Sequence, residues 1–326
     1  MFVFDTNVLL GLYRIPEQAR EKMIAVLEKL KNENRIWIPH QVAKEFYTRR
    51  MDAIYNQNKS HDEAIKNLKK IEEEINKKFD SKEAIRNISR GFKDVNREVE
   101  KAKKRCEWFD NDKIEKQLNK IFTGRVSGNY EKDKLSEIYK QGQERYDKEI
   151  PPGYKDKKKD KEDKTGTKKF GDLVIWNQII DRAKEIKKPI ILVTDDQKED
   201  WWWKINNDTT IGPRPELIRE IKDQAGVPFY IYQSEQFMGH AGQYLKIKFG
   251  AALIKQVTEI KETARAEREL VKPDVGGDLS SNDRVELDAN ANSVMGNAQN
   301  SNSSSEQSGA EEASERVGDN QTNGNG

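Results

Sequence analysis

Short apolar runs that stop abruptly at polar residues, separated by stretches of helical period, constrain this chain more than any other feature. The run "FVF" at residues 2–4 breaks into Asp5, Thr6 and Asn7. "RIWIP" follows at residues 35–39, "PIILVTDD" at 189–196 and "PFYIY" at 228–232. Between them lie amphipathic stretches. One after Pro16 carries Met23, Ile24, Leu27 and Leu30 on one face, and one from about His40 carries Val42, Ala43, Phe46 and Tyr47. "GDLVIWNQIIDRAKEIKK" reads as a helix opened by a Gly-Asp cap, and "PELIREIKDQAG" as a helix with a glycine stop. "SEQFMGHAGQYLKIKF" reads as a helix with a serine cap. Strands alternating with helices predict parallel βαβ units and an open three-layer α/β fold with a mostly parallel central sheet.

The alternation divides the chain. Residues 1–56 form the first part of the core, 171–250 the second, and 251–270 a terminal helix. Residues 57–150 read as a helical insertion. Ile85, Ile88, Phe92, Val95, Val99, Ala102, Cys106 and Phe109 step by three and four, and Ile65, Leu68, Ile71, Ile75 and Phe79 form a similar stripe. Two long helices packed as a hairpin are expected. Residues 151–170 are a loop with eight lysines against four acids. Residues 271–326, rich in Ser, Asn and Gly, are expected to be a disordered acidic tail.

Composition excludes several classes. No apolar run approaches the roughly 20 residues that span a bilayer, and the N-terminus lacks a signal-peptide layout. Cys106 is the only cysteine, which excludes an internal disulfide and a multi-cysteine zinc site and fits a reducing cytoplasm. The tail carries ten acids against three bases, a net of −7, so the other 270 residues carry 2 − (−7) = +9. A mildly basic body is compatible with a polyanionic partner. No P-loop or Gly-x-Gly-x-x-Gly fingerprint supports nucleotide chemistry.

Parallel strands bring their carboxyl ends to one edge, and ligands of open α/β sheets bind there. Asp5 ends the first strand, and Asp195 and Asp196 end the strand "IILVT". Asp172 opens the helix before that strand, and Glu45 lies one turn into the helix after "RIWIP". Carboxylates gathered at one rim repel each other unless a cation neutralises them. Oxygen donors without His or Cys point to Mg²⁺ or Mn²⁺, one ion or two, which can activate water at a phosphodiester.

The stretches "VFDTNVLLGLYR", "IPHQVAKEFYTRR", "GDLVIWNQIIDRA" and "ILVTDDQKEDWW" resemble the successive motifs of the PIN-domain nucleases, closest to their bacterial PIN-like branch. The likeness covers about residues 2–56 and 150–240. It implies metal-dependent endonuclease activity, with RNA favoured over DNA as partner. It also implies metal-binding roles for Asp5, Glu45, Asp172 and Asp196, with Asn7 and Thr194 supporting them. Asp195 is an additional acid, either a ligand or a group behind the ligands.

Lys44, Arg49, Arg50, Lys155 and Arg214 are candidate phosphate contacts; for Arg214 the alternative is to brace its loop through a carboxylate. Trp201, Trp202 and Trp203 are expected to pack under the loop, with base stacking as the alternative role. His40 is expected to be structural. Two other classes compete. A phosphohydrolase with Asp5 as nucleophile needs a second acid two residues on, where Asn7 stands. A catalytically silent module would act on nucleic acid or a protein through the helical insertion or the tail.

Overall fold

The computed structural model describes residues 1–105, 111–156, 165–206 and 209–270. Strand β1 (Phe2–Phe4) is three residues long and buried on both faces. Such a strand stays in place only when sheet neighbours satisfy its backbone and helices cover both sides. It pairs in parallel with β2 (Ile36–Trp37) and with β3 (Ile190–Val193), and β3 pairs in parallel with β6 (Phe229–Tyr232). The resulting order is β2-β1-β3-β6. Two further strands, β4 (Trp202–Ile205) and β5 (Thr209–Pro213), form a separate antiparallel pair.

Expectation placed the first helix after Pro16. A shorter one, α1 (Thr6–Gly11), starts directly after Asp5, whose carboxylate accepts from the Thr6 amide and caps it. Helix α2 (Glu17–Asn32) follows and buries Met23, Ile24, Leu27 and Leu30, the face read from the sequence.

Helix α3 (His40–Lys78) runs unbroken for 39 residues, roughly 58 Å at 1.5 Å per residue. Its first half buries Val42, Ala43, Phe46, Tyr47, Ala53 and Ile54, and its second half leaves the body. The division at residues 56 and 57 therefore falls inside one continuous helix. Helix α4 (Lys82–Arg105) turns back along it as a hairpin, tied by Lys103 to Asp62 at 2.6 Å. Cys106 and Phe109, the end of the heptad reading, lie outside the described residues.

Helix α5 (Lys113–Phe122) belongs to the main core and not to the hairpin. Ile114, Leu118, Ile121 and Phe122 are buried in the same cluster as β1, and Val126 bridges Ile38 beyond the end of β2. Arg50 holds α5 to α3 through Asp112 at 3.0 Å and Glu115 at 2.8 Å, and Tyr13 donates to the same Asp112 at 2.5 Å. Burial and the neighbouring Asp112 carboxylate push the Tyr13 phenol far above its ordinary value, so it stays a donor.

Helix α6 (Lys132–Asp147) packs on α7 (Gly171–Ile186), α7 on α8 (Pro215–Ala225), and α9 (Ser234–Tyr244) on α10 (Ala251–Leu270). The helix α8 ends at Gly226, whose φ of +76° is the left-handed stop expected there. The expected serine cap of α9 is instead a capping box between Gln233 and Gln236. Among the described residues no helix is long and apolar enough to cross a membrane. Residues 157–164 of the Lys-rich loop and the acidic tail, residues 271–326, lie outside the described residues.

Candidate active site

At the carboxyl edge of the sheet a cavity of about 1590 Å³ opens. Asp5, Glu45, Asp172, Asp195 and Asp196 all line it. Asp5 sits where β1 gives way to α1, and three donors hold its carboxylate: the Thr6 amide, Asn7 Nδ2 and Thr194 Oγ1, each at 2.6 Å. Burial, opposed by the Thr194 hydrogen bond and reinforced by Glu45 and Asp196, pushes its carboxyl up to about 6.

Asn7 is a hub. Its Nδ2 also donates to Thr194 Oγ1 at 3.0 Å, and its Oδ1 accepts from the Asp195 amide at 2.8 Å. This couples the β1 end to the β3 end, the two places where the sequence breaks from apolar to polar. Thr194 in turn accepts from the Asp196 amide at 3.0 Å.

Glu45 accepts from Thr6 Oγ1 at 3.2 Å and from Gln41 Nε2, one turn earlier on α3, at 2.9 Å. Gly171 opens α7 against it: a Cβ there would meet Glu45 Oε1 at 2.8 Å. Any other residue at 171 would push that carboxylate aside. Asp172 is not the cap expected from Gly-Asp, because the N-cap of α7 is Phe170 with no side-chain bond. Asp172 instead accepts from Trp201 Nε1 at 3.4 Å and faces Lys198 Nζ at 3.7 Å.

Lys198 was overlooked in the sequence, where a lysine in "TDDQKED" reads as solvated charge. Its ammonium stands 2.8 Å from Asp156, 3.0 Å from Asp196 and 3.7 Å from Asp172. Burial works against the charge, but Asp172, Asp196 and Asp156 together hold the ammonium well above its ordinary value. Asp156 is itself held by a stapled turn. Asp200, almost fully buried, accepts from the amides of Gly153 at 3.0 Å and Lys155 at 3.2 Å.

Asp195 lines the same cavity but is engaged by other partners. Its carboxylate accepts from the Ser234 amide at 3.1 Å, Ser234 Oγ at 3.2 Å and Lys261 Nζ at 2.6 Å, where α9 begins against α10. Lys261 also reaches Glu235 at 2.5 Å. Asp195 thus braces α9 and α10.

The basic candidates separate in the same way. Lys44 and Arg49 line the cavity, together with Arg14, Lys168 and Arg265, which the sequence did not single out. Arg50 does not; it is committed to Asp112 and Glu115 because its position on α3 faces α5. Lys155 pairs with Glu199 at 2.5 Å and Arg214 with Glu216 at 2.8 Å, both outside the cavity lining. Trp201 and Trp202 are buried beneath the Asp196 loop, and Trp202 Nε1 donates to the Asp196 carbonyl at 2.5 Å. Trp203 is 45% exposed on β4 and does not line the cavity. His40 is buried where α3 begins, and burial lowers its imidazole to about 4, keeping it neutral.

Among the described residues no group of three or more His, Cys, Asp or Glu side chains is gathered to hold a metal ion. The donor set still suits a hard divalent cation in kind, because the cavity's candidate ligands are carboxylates with no thiolate or imidazole among them. Burial first, and the Glu45 and Asp196 charges after it, raise the Asp5 carboxyl, and Lys198 already places a cation against Asp172 and Asp196. No curated protein and no solved structure matches the chain. The family model described as PIN like domain matches residues 1–217 of the 326, and the chain belongs to that family.

Proposed function

We propose that the protein is a metal-dependent nuclease that hydrolyses phosphodiester bonds, with RNA as the favoured substrate. One observation carries this reading: Asp5, Glu45, Asp172 and Asp196, from four separate segments, line one cavity whose walls also carry Lys44, Arg49, Arg14 and Lys168. A cavity lined by both carboxylates and basic side chains suits a polyanion whose backbone is held while one phosphate is presented to a cation.

In this proposal Asp5, Glu45, Asp172 and Asp196 hold Mg²⁺ or Mn²⁺. A bound ion would lower the pKa of an attacking water and stabilise the departing oxygen. Asn7 and Thr194 fix the Asp5 carboxylate, and Gln41 and Thr6 fix Glu45, so neither must reorganise when substrate arrives. Lys44 and Arg49 contact phosphates on either side of the cut.

The experiment is cleavage of labelled single-stranded RNA, structured RNA, and single- and double-stranded DNA with Mg²⁺, Mn²⁺ or EDTA. The expected outcome is metal-dependent cutting of RNA that Asp5→Asn abolishes. Equal cutting by wild type and Asp5→Asn would overturn the site assignment. A second reading, a silent binding module, draws on the exposed apolar residues Ile71, Phe79 and Val95 of the hairpin. Tight nucleic-acid or protein binding without cutting under any metal would favour it.

A further inference from the structure

The ammonium of Lys198 stands in contact with two of the four carboxylates to which the proposed function assigns the metal, and with one, Asp156, to which it does not. We propose that Lys198 is a built-in competitor for the metal position, and that Asp156 is the group that retains its ammonium when Asp172 and Asp196 turn to the ion. This inference rests on the nuclease reading and deepens it: it names what sets metal affinity at that site.

The geometry supports a pivot over a simple surface pair. Lys198 is only two residues beyond Asp196, and its amide donates to Asp196 Oδ1 at 2.8 Å, so its backbone is fixed to the carboxylate its side chain also touches. Only the side chain is left to move. Its shortest contact is to Asp156 at 2.8 Å, and its longest, 3.7 Å, is to Asp172.

Asp156 is built to stay in place. It is buried and lies three residues after Gly153, whose φ of +92° and approach to the Tyr146 hydroxyl leave no room for a side chain. Asp200 accepts from the two amides that shape this turn, those of Gly153 and Lys155. A fixed acid that is not a proposed ligand, an ammonium on a short tether, and two acids that are proposed ligands together make an exchange. A divalent ion can enter only as the ammonium withdraws toward Asp156. The ammonium remains charged and paired throughout, which avoids leaving a buried charge alone.

The test is Mn²⁺ affinity, read from the electron paramagnetic resonance signal of free Mn²⁺ against the full chain at fixed ionic strength. It uses wild type, Lys198→Met, Asp156→Asn and the double variant. Removing the competitor should tighten Mn²⁺ binding about tenfold, within the usual range of coupling between two sites. Removing the retaining acid should weaken it several-fold, because the ammonium then falls back on Asp172 and Asp196. The decisive value is the double variant. If Asp156 acts through Lys198, Asp156→Asn has no effect once Lys198→Met is present, whereas a general field effect of Asp156 would persist.

Unchanged or weaker binding by Lys198→Met overturns the proposal, as does an Asp156→Asn effect of equal size in both backgrounds. Lys198→Gln, which keeps a donor for Asp156, serves the same comparison if Lys198→Met does not fold. Failure of the nuclease reading looks different: neither wild type nor any variant then binds Mn²⁺. Binding of equal strength by wild type and Lys198→Met leaves that reading intact and removes only the competitor.

Discussion

Asp5→Asn perturbs stability with a sign that depends on pH, and the structure gives its size. The folded protein raises the Asp5 carboxyl to about 6 from 3.8, because burial and the Glu45 and Asp196 charges disfavour its anion. A folded-state value above the unfolded one means that the folded chain binds the proton more tightly. The resulting stability is fully present below pH 3.8 and is lost as pH rises through about 6. A difference of about two units is worth about 3 kcal/mol at most, and the partial exposure of Asp5 reduces it. Asparagine carries no such penalty. Its one carbonyl oxygen can stand in for only one carboxylate oxygen, so its NH2 faces either the Thr6 amide or the Asn7 and Thr194 donors. That mismatch costs about 1–2 kcal/mol and is constant with pH.

In EDTA, then, Asp5→Asn should be the less stable protein at pH 4 and close to or above wild type at pH 7. The gap should move by about 2–3 kcal/mol in its favour across the range. Urea unfolding at half-unit steps between pH 4 and 7 reads this directly. A gap that stays flat, or that moves toward wild type with rising pH, would refute the claim that folding raises the Asp5 carboxyl.

The remaining predictions concern how the site is supported. Arg50→Ala leaves Asp112 buried without its cation and should cost about 3 kcal/mol of folding stability, with no direct effect on phosphate binding; urea unfolding checks the first, and salt-dependent RNA binding the second. Gly153→Ala places a Cβ 2.2 Å from the Tyr146 hydroxyl at a φ of +92°. It should cost about 1–3 kcal/mol and loosen residues 151–156, which a thermal melt and hydrogen exchange would report. Lys261→Met removes the cation shared by Asp195 and Glu235 and should cost about 1–2 kcal/mol, with faster amide exchange confined to α9 and α10.

The sheet and its helices were legible because periodicity reports burial, and burial is what these segments have in common. Each strand read from the sequence is present, and α2 buries the face its spacing predicts. Helix α1 was not legible. Six residues are too few for a periodic signal, and the Asp5 that caps it also reads as the end of a strand. Asp5 and Asp196 stood out because parallel topology sends strand ends to one edge; Glu45 and Asp172, which lie in helices, were singled out by their place beside those strands and by the family resemblance. Their partners were not. Arg50 and Asp112 are 62 residues apart, and Asp195 and Lys261 are 66 apart. No local pattern says which charge meets which at such distances. Lys198 was hidden differently: it is adjacent to the motif, but a lysine among acids looks the same whether it is solvated or enclosed.

The family match ends at residue 217, inside α8, yet the site does not. Strand β6 completes the sheet beside β3, and Ser234, Lys261 and Arg265 line the cavity. The Asp195 brace explains why this matters chemically. Asp195 and Asp196 are neighbours on one turn, the first held by α9 and α10 and the second turned toward Lys198. Fixing Asp195 from behind orients Asp196 in front, so a carboxylate assigned to metal inside the match depends on helices outside it. Part of the edge of the proposed active site is therefore set by a segment the PIN-like match leaves uncovered, and differences there can alter the site without touching any of the four acids.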